Sequence, residues 1–354
     1  MEDFLDFVES HSILRRIKGY VEHYVFRIQF VDFISQCCFI FGMTGIVCVG
    51  VLISIPKMYS NESSVFLASC VGYFLAFQII VNWLSVKFVD SRYKPYQHGT
   101  KPDDIAIGQN FRQYRNADEN QNGDIMTVKD VNICMDNTNF ENGNTQSTIE
   151  SDDQEKPKKP KYPYFSWKPC LECNRPKPPR SHHCPDCNKC VLKRDHHCYF
   201  AGNCVGYRNL RHFAMFVFYC FSACLFAGLH ALPYYYYFVV PETRYVDLFV
   251  PLAALRALFG YIEWSNVFII SLGWSLLFFL IISRTYTFIV LDLIRKGHTS
   301  FEQVQKLGII DTRPLSQKLR AVFGRYWALN FIVPLHFVFE PMEDPVTWPT
   351  IIAS

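Results

Sequence analysis

The sequence predicts an all-α membrane protein in which four transmembrane helices carry a cytosolic, zinc-bound cysteine-rich domain of short β-hairpins between helices 2 and 3. Three observations lead there. Four uncharged apolar stretches stand out in the 354 residues, at 33–55, 64–86, 213–240 and 265–283. Lysine and arginine gather on one side of them. Seven cysteines fall within the thirty-five residues from Cys170 to Cys204.

About 20 apolar residues at a rise of about 1.5 Å each cross the hydrocarbon core, so all four stretches are long enough to span. Two shorter runs, 248–262 with Arg256 inside it and 326–339 with Pro334 inside it, suit interfacial or docking segments instead. Of the 35 Lys and Arg, 4 precede the first stretch, 20 lie between the second and third, and 8 follow the fourth. The other two loops hold 1 and 2. By the positive-inside rule both termini and the cysteine-rich loop face the cytosol. That compartment is reducing, which favours thiolates on metal over disulfides. A net charge of +3 makes no case for nucleic acid.

The first 32 residues are mixed and charged, with no secretory signal apparent. They contain an amphipathic stretch (Phe4, Phe7, Val8, then Arg15, Arg16 and Lys18) suited to the cytosolic membrane face. Asn61-Glu62-Ser63 matches a glycosylation sequon, close to the membrane. His230 lies within the third stretch, where an ionisable residue invites a role such as lining a cavity; a neutral histidine hydrogen-bonded between helices is the favoured reading. Tyrosines 234–237 read as an interfacial belt.

Residues 116–153 are too polar to bury enough apolar area against chain entropy, which predicts disorder. Within them Asp118-x-Asn120-x-Asn122-Gly123 begins like a calcium loop, but Lys129 stands where a bidentate Glu is required, so calcium binding is rejected. Residues 156–161, lysines broken by prolines, read as an extended tether able to touch anionic lipid. The organisation is therefore a cytosolic N-terminal segment (1–32), helices 1 and 2 (33–86), a linker (87–165), a cysteine-rich zinc domain (166–212), helices 3 and 4 with a lumenal loop (213–291), and a cytosolic C-terminal segment (292–354).

The chemistry sits in the cysteine-rich domain: Cys170-x2-Cys173, His183-Cys184-x2-Cys187-x2-Cys190, Asp195-His196-His197-Cys198 and Cys204. Cysteines at two-residue spacing bring paired thiolates to about 2.3 Å from one zinc. Two sites of three cysteines and one histidine each leave one cysteine over, with a spare histidine and an aspartate beside it. Prolines between Arg175 and Arg180 rule out a regular helix, and the segment has too few apolar side chains for a core without metal. Spacing alone does not fix which ligand goes where. The economical assignment keeps His197 on zinc and leaves Cys198 unligated, with His196 able to take its proton and Asp195 able to hold the imidazole.

Asp195-His196-His197-Cys198, read with the flanking cysteines, Asn203-Cys204-Val205-Gly206 and Asn209-x3-Phe213, resembles the DHHC family of protein S-acyltransferases (palmitoyltransferases). Thr299-Ser300-Phe301-Glu302 looks like a variant of that family's Thr-Thr-x-Glu motif, and Val322-Phe323-Gly324 like its C-terminal motif. The resemblance implies one zinc on Cys170, Cys173, His183 and Cys190, and another on Cys184, Cys187, His197 and Cys204. It makes Cys198 the nucleophile, His196 its general base, Asp195 the orienting carboxylate, and Ser300 a hydrogen-bond support for Asp195. It has Asn209 anchoring the C-terminal segment. Lys193, Arg194 and Arg175 become candidates to meet coenzyme A phosphates. Fatty acyl-CoA is the implied co-substrate, membrane-associated proteins with cytosolic cysteines and the bilayer are the implied partners, and the Golgi or endoplasmic reticulum the expected location.

Three departures stand out: Tyr199-Phe200 replace the family's Pro-Trp, its Asp-Pro-Gly motif is absent after the second stretch, and Ser300 stands for Thr. The competing reading is a catalytically inactive zinc-domain membrane adaptor. A small transporter is disfavoured by few intramembrane charges and no inverted repeat.

Overall fold

The computed structural model describes residues 12–94, 167–331, 348 and 350–353, and divides into two compact units. One holds everything up to Tyr93 and from Ser181 onward; the other runs from Lys94 to Arg180. The Phe4, Phe7 and Val8 stretch, the polar segment 116–153 with its calcium-like loop, the tether 156–161 and the end of the 326–339 run lie outside the described residues.

Four long helices dominate the first unit. Helix α1 (Ser12–Val49) continues through a π turn at Gly50–Ser54 into a last turn, Ile55–Met58, and α2 is Glu62–Phe88. Helix α3 (Leu210–Tyr234) passes Pro233 into a π turn at Tyr235–Val239. A nine-residue helix, α4 (Val250–Leu258), precedes α5 (Trp264–Lys296). Each long helix contains an apolar length sufficient to cross a membrane. Their outward faces are apolar too: Phe41, Phe66 and Leu232 are each more than 70% exposed. Contiguous apolar surface on this scale is untenable against water and natural against lipid. The protein is an integral membrane protein.

Two boundaries differ from the sequence reading. The first helix does not begin near the apolar run but includes Arg15, Arg16 and Lys18 in one continuous element. The fourth span extends thirteen residues beyond Ser283, because Thr287, Val290 and Ile294 continue a buried stripe at helical spacing while Arg284 and Arg295 face outward. That extension joins Phe39, Met43, Ile79, Val86, Phe213 and Phe216 in one core. The run at 248–262 forms α4, too short to span, with its Ala253 and Ala257 packed on Tyr234, Val267 and Ile270. Arg256 pairs with the fully buried Asp247, so these two charges neutralise each other. Asn61 is the N-cap of α2, its side chain accepting from Ser63 N at 3.0 Å. His230 hydrogen-bonds Tyr59 Oη at 3.1 Å and the Phe226 carbonyl at 2.8 Å, tying α3 to the end of the first helix as the favoured reading expected.

Short antiparallel hairpins make up the cysteine-rich segment. The second unit holds β1 (Lys168–Cys170) with β2 (Arg175–Lys177). The first holds β3 (His182–Cys184) with β4 (Lys189–Val191), and β5 (His196–Cys198) with β6 (Asn203–Val205). Every turn contains a residue in the left-handed region, Asn174, Asn188 or Gly202, the types that reach it at least cost.

The last pair of hairpins is fastened to the membrane helices at the end of α2. A helix leaves its final carbonyls unpaired, and two asparagines meet them here. Asn203 Nδ2 donates to the carbonyls of Val86 and Lys87 at 3.0 and 3.1 Å. Asn209 Nδ2 donates to Val86, Val89 and Cys204 at 3.2, 3.3 and 2.9 Å, and its Oδ1 accepts from Ser91 Oγ and Gly206 N, both at 2.8 Å. The resemblance assigned Asn209 to the C-terminal segment; its hydrogen bonds go instead to the end of α2 and to the approach to α3. Gly206 completes the junction, since a Cβ there would lie 2.6 Å from the Leu192 carbonyl. Asn209 is fully buried, and each buried polar group left unpaired costs about 1–3 kcal/mol. Asn209→Ala is therefore expected to lower the unfolding midpoint in detergent by several degrees. An unchanged midpoint would show that water replaces the side chain.

After α5 the chain forms a short helix α6 (Ser300–Val304), a strand β7 (Ile309–Asp311) paired with β8 (Ile351–Ala353), and α7 (Leu315–Phe323). Phe323 is fully buried and packs on Phe331, whose carbonyl accepts from Tyr219 Oη at 2.7 Å.

Candidate active site and metal centre

Strand alternation sorts the Asp195-His196-His197-Cys198 run into two functions. Successive side chains point to opposite faces, so His197 projects one way and His196 and Cys198 the other. His197 faces its register partner Cys204. His196 and Cys198 face the membrane helices.

On the His197 face, Nδ1 lies 3.3 Å from Cys187 Sγ and 3.8 Å from both Cys184 Sγ and Cys204 Sγ. Ligand atoms of these four residues lie within 4.8 Å of one another. Three soft thiols and one imidazole at that separation fit a tetrahedral zinc. Arg194 turns its guanidinium onto Cys184 Sγ at 3.7 Å, where it offsets thiolate charge. For the other predicted set, Cys170 and Cys173 stand on the β1–β2 hairpin of the second unit, and His183 and Cys190 are register partners across β3–β4 in the first. His183 and Cys184 are neighbours on one strand and so must serve different metals. The donor types and spacings of both sets fit zinc.

On the opposite face, Asp195 Oδ2 lies 2.7 Å from His196 Nδ1. Ser300 holds the same carboxylate twice: its backbone N–H donates to Oδ1 at 2.6 Å and its hydroxyl to Oδ2 at 2.7 Å. Ser300 reaches there because Thr299 and Glu302 form a reciprocal capping box that starts α6, with Thr299 N donating to Glu302 at 2.7 Å. Burial works to raise Asp195, but the hydrogen bonds from His196 and Ser300 outweigh it and hold the carboxyl below the usual range. For His196, burial opposes the charged form, yet the hydrogen bonds with Asp195 and with Cys198 outweigh it and lift the imidazole to about 9. Phe213 sits edge-on to the His196 ring at 4.8 Å and Tyr286 lies 6.4 Å away.

Cys198 opens onto a cavity of about 110 Å³ between α1, α3 and α5. Its walls are mainly aromatic and aliphatic, among them Phe39, Phe216, Val217, Phe279 and Ile282. Tyr199 and Phe200 both line it, and Phe200 is fixed by Trp83 Nε1 donating to its carbonyl at 2.8 Å.

The three basic residues named for phosphate contact are placed differently from one another. Arg194 is directed at the metal-site thiol. Lys193 is buried, with its ammonium 5.0 Å over the Trp348 ring. Arg175 is exposed on the second unit and donates to the Cys173 carbonyl at 3.4 Å. Sequence reasoning missed Asp32, whose Oδ1 lies 3.2 Å from His197 Nε2, and named Asn203 within a motif without a role for it, where the structure has it capping α2. Asp32 is 165 residues from its partner, and no local pattern marks it.

Comparison with known proteins gives concordant results. The DHHC palmitoyltransferase family model matches residues 164–307. The mouse (Mus musculus) Palmitoyltransferase ZDHHC21 is 35% identical over 196 residues, which cover 53% of this chain and 69% of that protein. The human (Homo sapiens) Palmitoyltransferase ZDHHC21 is 37% identical over 196 residues, with the same coverage. The mouse Palmitoyltransferase ZDHHC22 is 31% identical over 166 residues, 45% of this chain and 61% of that protein. The chain thus spans about three fifths of the ZDHHC22 relatives it matches.

Proposed function

Because the chain belongs to the DHHC palmitoyltransferase family, we propose that it is a protein S-acyltransferase, moving a long-chain fatty acyl group from acyl-CoA to Cys198 and then to cysteines of membrane-associated proteins. One observation carries this reading: Cys198, the one of the seven cysteines from Cys170 to Cys204 outside both ligand sets, is hydrogen-bonded to His196 and opens onto an apolar cavity inside the helix bundle.

With Nδ1 engaged by Asp195, Nε2 of His196 is the nitrogen left to take the Cys198 proton. Asp195 stabilises the imidazolium that this transfer produces, and the raised proton affinity of His196 reflects that support. The Cys198 thiolate attacks the thioester carbonyl of acyl-CoA. The carbon–sulfur bond to coenzyme A breaks, and coenzyme A leaves as a thiol with the proton from His196. In the second half-reaction His196 takes the proton of an incoming substrate thiol, which attacks the Cys198 thioester and releases Cys198. The fatty chain lies in the cavity meanwhile; at about 0.8 kcal/mol per buried CH2, a long chain is a strong anchor. Zinc held by Cys170, Cys173, His183 and Cys190, and by Cys184, Cys187, His197 and Cys204, would supply rigidity to the hairpins, with four protein ligands filling each site. Arg175, Lys193 and Arg194 stay as candidates for the coenzyme A phosphates. Of these, exposed Arg175 has the least competition from the fold. The active site and both termini are assigned to the cytosol on the distribution of basic residues, and the Golgi or endoplasmic reticulum on family resemblance.

The test is intact-mass analysis of the purified protein after incubation with acyl-CoA. One added acyl group, removed by hydroxylamine and mapped to Cys198, is expected. Acylation at another cysteine, or none, refutes the assignment. Asp195→Asn is expected to leave zinc content unchanged and to slow self-acylation by about 10²–10⁴-fold, the usual contribution of a positioned acid–base group. A rate within threefold of wild type would remove Asp195 from the mechanism.

A further inference from the structure

A histidine that gives Nδ1 to a metal must carry its ring proton on Nε2, and whatever accepts that proton sets the tautomer, the ring angle and the donor strength. His197 directs Nδ1 at the three sulfurs of its set, and its Nε2 meets Asp32 Oδ1 at 3.2 Å. The imidazole is 4% exposed, which leaves little room for water to substitute. Asp32 is not a casual neighbour. It stands on α1, where Gln36 Nε2 donates to its carbonyl at 3.0 Å, and Gln36 in turn accepts from Lys87 at the end of α2. The β5–β6 turn fits onto this same face: Gly202 has φ +61°, and a Cβ there would lie 2.7 Å from Gln36 Nε2 and 3.8 Å from Asp32 Oδ2. The turn's shape and its glycine are therefore matched to the Asp32–Gln36 face of α1.

We propose that Asp32 is an outer-sphere positioning residue for the zinc held by Cys184, Cys187, His197 and Cys204, clamping His197 and so linking the first membrane helix to the strand that carries Cys198. This rests on the zinc reading of that set. Displacing the His197 ring would tilt β5, and Cys198 is the next residue along. Asp186, the other carboxylate nearby, approaches Nδ1 at 3.9 Å and cannot take the Nε2 proton.

The experiment follows zinc release from the full-length protein in detergent to a chromophoric chelator. In wild type two zinc ions per chain are expected. In Asp32→Ala one of them should leave 10–100-fold faster, the usual effect of losing such a partner, while the other keeps its wild-type rate. Asp32→Asn, whose carboxamide oxygen still accepts the N–H without the charge, should fall between, and serves if the alanine variant does not fold. Release at wild-type rates overturns the role of Asp32, and so does equal acceleration of both ions, which marks a general loosening. Wild-type protein holding fewer than two zinc ions would instead refute the zinc reading itself.

Discussion

Replacing Cys198 by serine is expected to bring self-acylation and transfer to background while zinc content stays at two per chain. The alternation of β5 is the reason the two readouts separate. Cys198 points away from His197, and each metal set is complete without it. Serine keeps the size of the side chain and its hydrogen bond to His196, so the hairpin has no cause to refold. A hydroxyl next to an imidazole can be activated, but an alkoxide is a far less stable anion than a thiolate. Loss of zinc together with activity would mean that Cys198 is a ligand, and the catalytic reading would fall. Retained transfer by the purified serine variant would refute the assignment of Cys198 as the nucleophile.

Removing zinc should have the largest structural effect. Strands of three residues in two-stranded sheets are not stable by themselves, and structural zinc contributes about 10–16 kcal/mol of apparent folding free energy per site. Hydrogen exchange after chelation is expected to show amides between Lys168 and Val205 losing protection, with α2, α3 and α5 retaining theirs. Acyl transfer should disappear in parallel and return with zinc. Hairpins that remain protected without metal would show that α2 and its asparagine caps suffice to hold them.

How much of this was legible beforehand depends on how local each signal is. The spans were readable because a bilayer demands uninterrupted apolar length, and what was cut short were the charged extensions of α1 and α5, where charged residues end the apolar run but not the helix. The metal-binding character of the cysteines follows from spacing within single hairpins. The separation of His197 from His196 and Cys198 follows from the twofold period of a strand. Contacts between remote segments were not accessible in the same way. Ser300 on Asp195 was reached only through resemblance, and Asp32 on His197 was not reached at all. Basic residues were the least readable. Lys193 and Arg194 have the charge for phosphate, but charge does not say whether it is directed outward or, as with Arg194, at a thiol of the fold.

If Cys198 passes on an acyl group as proposed, the two asparagines that finish α2 have a consequence for which proteins can be modified. By bolting the β5–β6 hairpin to the end of a membrane-spanning rod, they set the altitude of the Cys198 sulfur above the lipid and give it no arm on which to rise. On the proposed function, reach would then have to come from the acceptor: a cysteine held far above the bilayer would be out of range however exposed it is, while one brought down by a neighbouring lipid anchor or span would meet the thioester at its own level.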